Sequence, residues 1–142
     1  KKFNIPEGKV FNQPIIEYYL KNDGLGDPMM CESHLIRLGY IKSDELDEII
    51  DFSFRINDFL QGLFLGIGIR LVDFKLEFGR HRKNENFDII LADEISPDNC
   101  RLWNKEDNKK LDKDRFRQDL GEIKEVYQEV AKRLGVLNEE KQ

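Results

Sequence analysis

The sequence predicts an α+β fold, an antiparallel sheet with a hairpin, packed by helices. Three observations carry this expectation. Apolar residues recur at helical spacing between Ser43 and Phe64, strict alternation runs from Val72 to Phe78, and a short apolar run spans Phe87 to Ala92 after a polar turn. The strand–turn–strand order of the last two makes an antiparallel hairpin the simplest arrangement. No internal repeat or low-complexity stretch interrupts the chain.

The elements follow in order. Residues 10–20 (Val10 to Leu20) predict a strand, and Asp23-Gly24-Leu25-Gly26-Asp27-Pro28 predicts a loop. A short helix is expected from Glu32 to Leu38, closed by Gly39. Ser43 is expected to cap a long helix buried through Leu46, Ile49, Ile50, Ser53, Ile56, Asn57, Leu60, Leu63 and Phe64, with Gly66 and Gly68 ending it. A strand at 69–78, a turn from Arg80 to Asn86 and a buried strand from Phe87 to Ala92 complete the hairpin. Ser96-Pro97-Asp98-Asn99 fits a type I turn, with Pro presetting φ at the second position. From Glu122 to Leu134 a last helix is expected to bury Ile123, Val126, Tyr127, Val130 and Leu134, with Gly135 as its stop.

Composition narrows the function. A chain of 142 residues suits one domain or the larger part of one, and 39% hydrophobic residues with ten Phe can build a core. A formal charge of −5 argues against coating nucleic acid, although a local cluster of Lys and Arg can still hold a small anion. The apolar runs are too short to span a bilayer as a helix. Cys31 and Cys100 show no metal-ligand spacing, and two thiols make no disulfide framework, so a reducing, cytoplasmic setting is expected. The start at Lys1-Lys2-Phe3, without Met, reads as a trimmed fragment.

The alternation from Val72 onward carries the chemistry. Val72, Phe74, Leu76 and Phe78 are expected to face a core, which turns Asp73, Lys75 and Glu77 to the other face. Asp93, at the end of the second strand, is expected to emerge near the start of the first strand or just beyond it. Each charged pair alone would be an ordinary exposed strand pair worth less than about 1 kcal/mol. Together they suit a metal and phosphate site. Mg²⁺ takes one or two carboxylates plus substrate phosphates, and a lysine neutralises phosphoryl oxygens. Arg101, on what reads as a loop after the turn, suits a phosphate or carboxylate fork. Lys113, Arg115 and Arg117, mixed with aspartates, read partly as a solvated helix start from which one Arg reaches a ligand. His34 and His81 are isolated, and no Gly-rich phosphate loop or Ser/His/Asp arrangement is present.

The segment Leu71 to Gly79 resembles a signature of the SAICAR synthetase family. The resemblance extends through Leu20-Lys21-Asn22-Asp23 with Asp27-Pro28, Asp93 to Asp98, Arg101-Leu102-Trp103 and Asp112 to Gln118. Ala92 departs from a usual Gly, and Asn99-Cys100 from a usual smaller pair. The resemblance implies the C-terminal, larger lobe of a two-lobe, kinase-like or ATP-grasp-like synthetase over residues 1–142, without the N-terminal ATP-covering lobe. It implies ATP-dependent ligation of L-aspartate to 5-amino-1-(5-phosphoribosyl)imidazole-4-carboxylate in purine biosynthesis, through an acyl phosphate. It further implies ATP and Mg²⁺ as cofactors, two small-molecule substrates as partners, no nucleic acid or membrane, and allows a homodimer.

The same resemblance implies roles for residues. Glu77 and Asp93 would ligate magnesium and, with Lys21, serve the nucleotide. Lys75 would contact the phosphoryl group or the imidazole carboxylate, and Asp73 would orient Lys75 or the incoming amine. Asp27, Ser96, Asp98, Arg101, Lys113 and Arg117 would line the substrates. Two other readings remain at this stage: a small-molecule kinase using the Asp-x-Lys arrangement, and a folded interaction or dimerisation module without activity of its own.

Overall fold

The computed structural model describes residues 4–83, 86–117 and 123–137, without the side chains of Asn86, Phe116, Arg117 and Ile123. The chain divides after Phe54 into two units, each taken by itself. In the first, β1 (Tyr18–Tyr19) pairs antiparallel with β2 (Met29–Met30). Their connection holds a 3-10 turn at Asp23–Leu25, capped by the Asn22 side chain, which accepts from the Leu25 N–H at 3.1 Å. The strand expected over 10–20 is therefore confined to its end. Pro14 has no N–H to give a ladder, and residues 10–15 are exposed.

Helix α1 (Glu32–Arg37) ends as expected, with Gly39 at φ +75°. The long helix α2 (Ser43–Gly66) begins in the first unit and continues into the second. Ser43 is its first residue rather than its cap. Glu45 instead reaches back to accept the Lys42 N–H at 2.8 Å, the return half of a capping box, and Asp44 and Glu45 complement the positive helix end. Leu46, Asn57, Leu60 and Phe64 of the expected stripe are buried, while Leu63 is 40% exposed.

The second unit departs from the expected hairpin in its burial and in its pairing. Within the run Phe87 to Ala92, expected to be buried, only Ile89 is, and Phe87, Ile90 and Leu91 are exposed. The single strand anticipated at 69–78 is two strands with different partners. β3 (Ile69–Phe74) pairs antiparallel with β6 (Cys100–Asn104), and β4 (Glu77–Lys83) pairs antiparallel with β5 (Asn86–Ala92). The ladder of β3 slips between Leu71 and Asp73, so Val72 is an extra residue opposite β6. That slip changes which parity faces inward. Ile69, Leu71 and Phe74 meet the core, and Val72, expected inside, is 40% exposed. Arg80 to Lys83 belong to β4 rather than to the turn, because pairing such as Arg80↔Ile89 continues and their side chains sit in solvent. Residues 84 and 85 of the expected turn lie outside the described residues.

One core closes this unit. Leu60 and Phe64 of α2 join Ile69, Cys100, Leu102, Leu111 and, from α4 (Ile123–Arg133), Val126 and Val130. Tyr127 packs against that cluster and Leu134 is 37% exposed, while Glu122 and the Ile123 side chain lie outside the described residues. Gly135, at φ +73°, stops α4 as expected, with the Val136 N–H reaching the Ala131 carbonyl at 3.0 Å. Arg133 ties the helix back. Its Nη1 donates to Asn104 Oδ1 at 3.0 Å and to the Gly68 carbonyl at 3.3 Å.

The two cysteines sit in opposite surroundings. Cys31 is exposed, and hydrogen bonds from Ser33 and the His34 backbone hold its thiol below the usual range. Cys100 is 3% exposed within the core, and burial pushes its thiol up to about 11. Only thiolates attack alkylating reagents. Iodoacetamide at neutral pH is expected to modify Cys31 alone in the folded protein and both thiols in denaturant, as read by peptide mass mapping. Modification of Cys100 at native conditions would contradict this packing.

Candidate active site

The change of partner between β3 and β4 places the charged residues. At the switch the Lys75 main-chain N–H donates to the Asn99 carbonyl at 2.9 Å, extending the β3–β6 pairing by one bond. Two residues later Glu77 is paired with Ala92, the last residue of β5. The connection from Asp93 to Asn99 therefore lies alongside Lys75. Its own shape comes from Ser96-Pro97-Asp98-Asn99, a turn as expected, in which the Ser96 carbonyl accepts from Asn99 and Cys100 at 3.1 and 3.0 Å. The Ser96 hydroxyl accepts the Asp98 N–H at 3.1 Å, and the Asn99 amide donates to the Glu94 carbonyl.

Lys75, Glu77 and Asp93 meet as expected. Lys75 Nζ lies 2.6 Å from Glu77 Oε1 and 3.8 Å from Asp93 Oδ2. Asp93 adopts φ +70°, a left-handed conformation that costs most residues about 1–3 kcal/mol and that Asp tolerates better than most. The Lys75 side chain is 60% exposed, so these bonds bring little stability. Two carboxylates nevertheless converge on one positive centre. Among the described residues no group of three or more His, Cys, Asp or Glu is placed to hold a metal. Glu77 and Asp93 could hold a divalent ion only with oxygens supplied from outside the chain, which is how Mg²⁺ sits when nucleotide phosphates and water complete its shell. The donor set fits that ion.

Asp73 pairs elsewhere. Its Oδ2 lies 2.7 Å from Arg101 Nη1 rather than against Lys75, because it faces Arg101 across the β3–β6 ladder. Arg101, expected on a loop, is in strand β6, whose Cys100 and Leu102 are buried on either side of it. Its Nε bonds Asp114 Oδ2 at 2.7 Å. Asp98 lies near Lys113, with Oδ1 at 3.8 Å from Lys113 Nζ, and accepts from the Tyr127 hydroxyl at 2.5 Å. Asp73, Arg101 and Asp114 thus form one charged group at β3, and Lys75, Glu77 and Asp93 another at the switch into β4.

The remaining expected residues are placed differently. Lys21 and Asp27 belong to the first unit, on the exposed connection between β1 and β2. There Asp27, at φ +48°, accepts the Asn22 N–H at 2.7 Å and helps close the loop. α3 (Asp114–Arg117) confirms a helix start, but the Arg117 side chain lies outside the described residues. His34 and His81 are exposed.

Two carboxylates escaped the sequence reading. Asp112 is 1% exposed and Asp114 7%. Asp112 Oδ2 accepts the Leu102 N–H at 2.7 Å, and its Oδ1 accepts the Asp114 N–H at 2.8 Å. Burial raises the Asp112 carboxyl above its usual range, partly offset by those two bonds. The available signal was an Asp two residues ahead of a helix start, where its side chain can take a free N–H.

Comparison with known proteins identifies the family. Residues 1–134 match the SAICAR synthetase family. The phosphoribosylaminoimidazole-succinocarboxamide synthase of Rhodospirillum centenum is 61% identical over 139 residues, covering 98% of this chain and 55% of that protein. That of Acidiphilium cryptum is 59% identical, covering 97% and 54%. The crystal structure of the Ehrlichia chaffeensis enzyme of the same name superposes with a TM-score of 0.91 at 49% identity, over 97% of this chain and 58% of that one. A SAICAR synthetase solved in complex with ADP superposes with a TM-score of 0.86 at 46% identity, over 96% and 57%. The chain belongs to the SAICAR synthetase family, and it spans about half the length of the relatives it matches.

The buried Asp112 and the exposed Lys75 should respond differently to mutation. Asp112→Ala leaves two buried N–H groups unsatisfied, each costing about 1–3 kcal/mol, whereas Lys75→Ala removes exposed pairs worth less than about 1 kcal/mol. Urea unfolding is expected to show a large fall in midpoint for Asp112→Ala and almost none for Lys75→Ala. Equal losses would make the lysine cluster a structural feature.

Proposed function

We propose that this chain carries the phosphate- and anion-binding residues of an enzyme that ligates L-aspartate to 5-amino-1-(5-phosphoribosyl)imidazole-4-carboxylate at the expense of ATP. The observation that carries this reading is the convergence of Glu77 and Asp93 on Lys75 at the β3–β4 switch. Family membership supports it, as does an ADP complex of a relative 46% identical to this chain.

The chemistry explains why these residue types are needed. A carboxylate resists attack by an amine, so one of its oxygens first attacks the γ-phosphorus of ATP. The bond from that phosphorus to the β–γ bridging oxygen breaks, leaving an acyl phosphate and ADP. The amine of aspartate then attacks the acyl carbon, loses a proton and expels phosphate, giving the amide. Charge builds on phosphoryl oxygens in the first step, and Lys75 would neutralise it. Glu77 and Asp93 would hold Mg²⁺, which supplies further neutralisation of the phosphates when bound. Arg101 suits a carboxylate or phosphate of the two anionic substrates, with Lys113 and Arg117 as further cations of the same segment. By family resemblance alone, Lys21 would serve the nucleotide and Asp27 a substrate. The reading includes a cytoplasmic enzyme and allows a homodimer.

Asp93→Asn tests this directly. Asn also tolerates the left-handed backbone at this position, so the fold should survive while the second charged oxygen is lost. ADP release dependent on both aspartate and the imidazole carboxylate is expected to fall by about 100-fold or more in the full-length protein. Near-normal turnover at saturating Mg²⁺ with unchanged circular dichroism would remove Asp93 from the site. ADP release with a polyol but not with aspartate would replace the ligase by a kinase.

A further inference from the structure

Arg101 has two carboxylate partners of unequal character. The Asp114 side chain is 10% exposed, and its own N–H is fixed by Asp112 at 2.8 Å. Asp112 in turn bonds the N–H of Leu102, the residue after Arg101, at 2.7 Å. The strand that presents Arg101 therefore also dictates where the Asp114 carboxylate stands. Asp73 differs on every count. Its side chain is 54% exposed, and it follows directly on the bulge at Val72. An ion pair in solvent exchanges partners at little cost, whereas a buried one does not.

Resting on the ligase reading, we propose that Asp114 is a positioning residue that fixes the Arg101 guanidinium through Nε, while Asp73 is an exchangeable partner whose place at Nη1 is taken by a carboxylate or phosphate oxygen of the substrate. A guanidinium offers five N–H donors, and these two bonds use one at Nε and one at Nη1. The terminal edge is left for an oxyanion to grip with two oxygens. With Asp114 in place, the guanidinium plane is already set before the anion arrives. Without it, the same charge remains on a mobile stem, and the anion must order it on binding. Asp73 keeps the site neutralised when no substrate is bound and yields when one arrives.

The test uses the full-length protein and two readouts. Arg101 Nε–H is observed by heteronuclear NMR, assigned with Arg101→Lys, and titrated with inorganic phosphate. In the wild type this proton is expected to be protected from exchange and to shift with phosphate. In Asp114→Asn the protection should fall and the phosphate response weaken by about tenfold, with Asp114→Glu intermediate. Asp73→Asn should respond at lower phosphate than wild type, since the competing charge is gone. In steady-state assays, Asp114→Asn should raise KM for one anionic substrate by about tenfold with kcat within about threefold. An unaltered Nε–H in both Asp114 variants, or a wild-type proton blind to phosphate, would overturn the positioning role. Unchanged or weaker phosphate binding in Asp73→Asn would overturn the exchange. Loss of kcat with KM unchanged would also refute the proposal. If the wild type shows no aspartate-dependent ADP release, the ligase reading fails by itself, and the NMR titration still decides what Asp114 does.

Discussion

The site depends on a change of hydrogen-bonding partner within a single extended run. From Ile69 to Phe74 the run is laddered to β6, and from Glu77 to Lys83 to β5. A strand can serve two partners in this way only if the chain joining them lies opposite the handover. That chain is Asp93 to Asn99, and Lys75 is bonded to it through its main chain. One topological fact thus places Asp93 beside Lys75 and Glu77, and Arg101 beside Asp73. The bulge at Val72 adds the second requirement. By shifting parity it lets Leu71 and Phe74 both reach the core while Asp73 meets Arg101.

The energetics separate what holds the site from what uses it. Ile69 and Leu102 are fully buried in the strand pair that carries Asp73 and Arg101, so hydrophobic packing fixes the backbone there. Asp112 supplies polar anchoring from within the same core, accepting two N–H groups that would otherwise be unsatisfied. Lys75, Glu77 and Asp93 contribute little to that framework. They lie in partly solvated surroundings, and Asp93 sits in an uncommon backbone conformation. Charges gathered at small structural benefit on a well-anchored scaffold are what a binding site for an anionic ligand requires.

Much of this was legible in the residues. Helical spacing located α2 to within a residue at its C-terminal end, because its apolar stripe, its acidic first turn and Gly66 agree. Alternation and strand order brought Asp93 toward the strand of Lys75 and Glu77, but near its start, whereas the register sets Asp93 directly after the Glu77–Ala92 pair. Arg101 stood out by its residue type, but its strand did not, since Cys-Arg-Leu-Trp-Asn is too short a run to distinguish from a loop. The split of 69–78 into two strands was invisible for a different reason. Alternation persists across the switch, and only the long-range pairing with β6 reveals that the partner changes. Asp112 and Asp114 looked like solvent charges among Lys and Arg, and it is tertiary burial that sets them apart.

In the proposed function, the β3–β4 switch with Asp93 is the place where a metal-bound nucleotide phosphate sits. Mn²⁺ can stand in for Mg²⁺ and broadens nearby NMR signals. Full-length, isotopically labelled protein titrated with Mn²⁺ and ADP should lose amide signals around residues 75–77 and 92–94, and only when both ligands are present. Broadening centred elsewhere in the chain, or the same broadening from Mn²⁺ without nucleotide, would contradict the account.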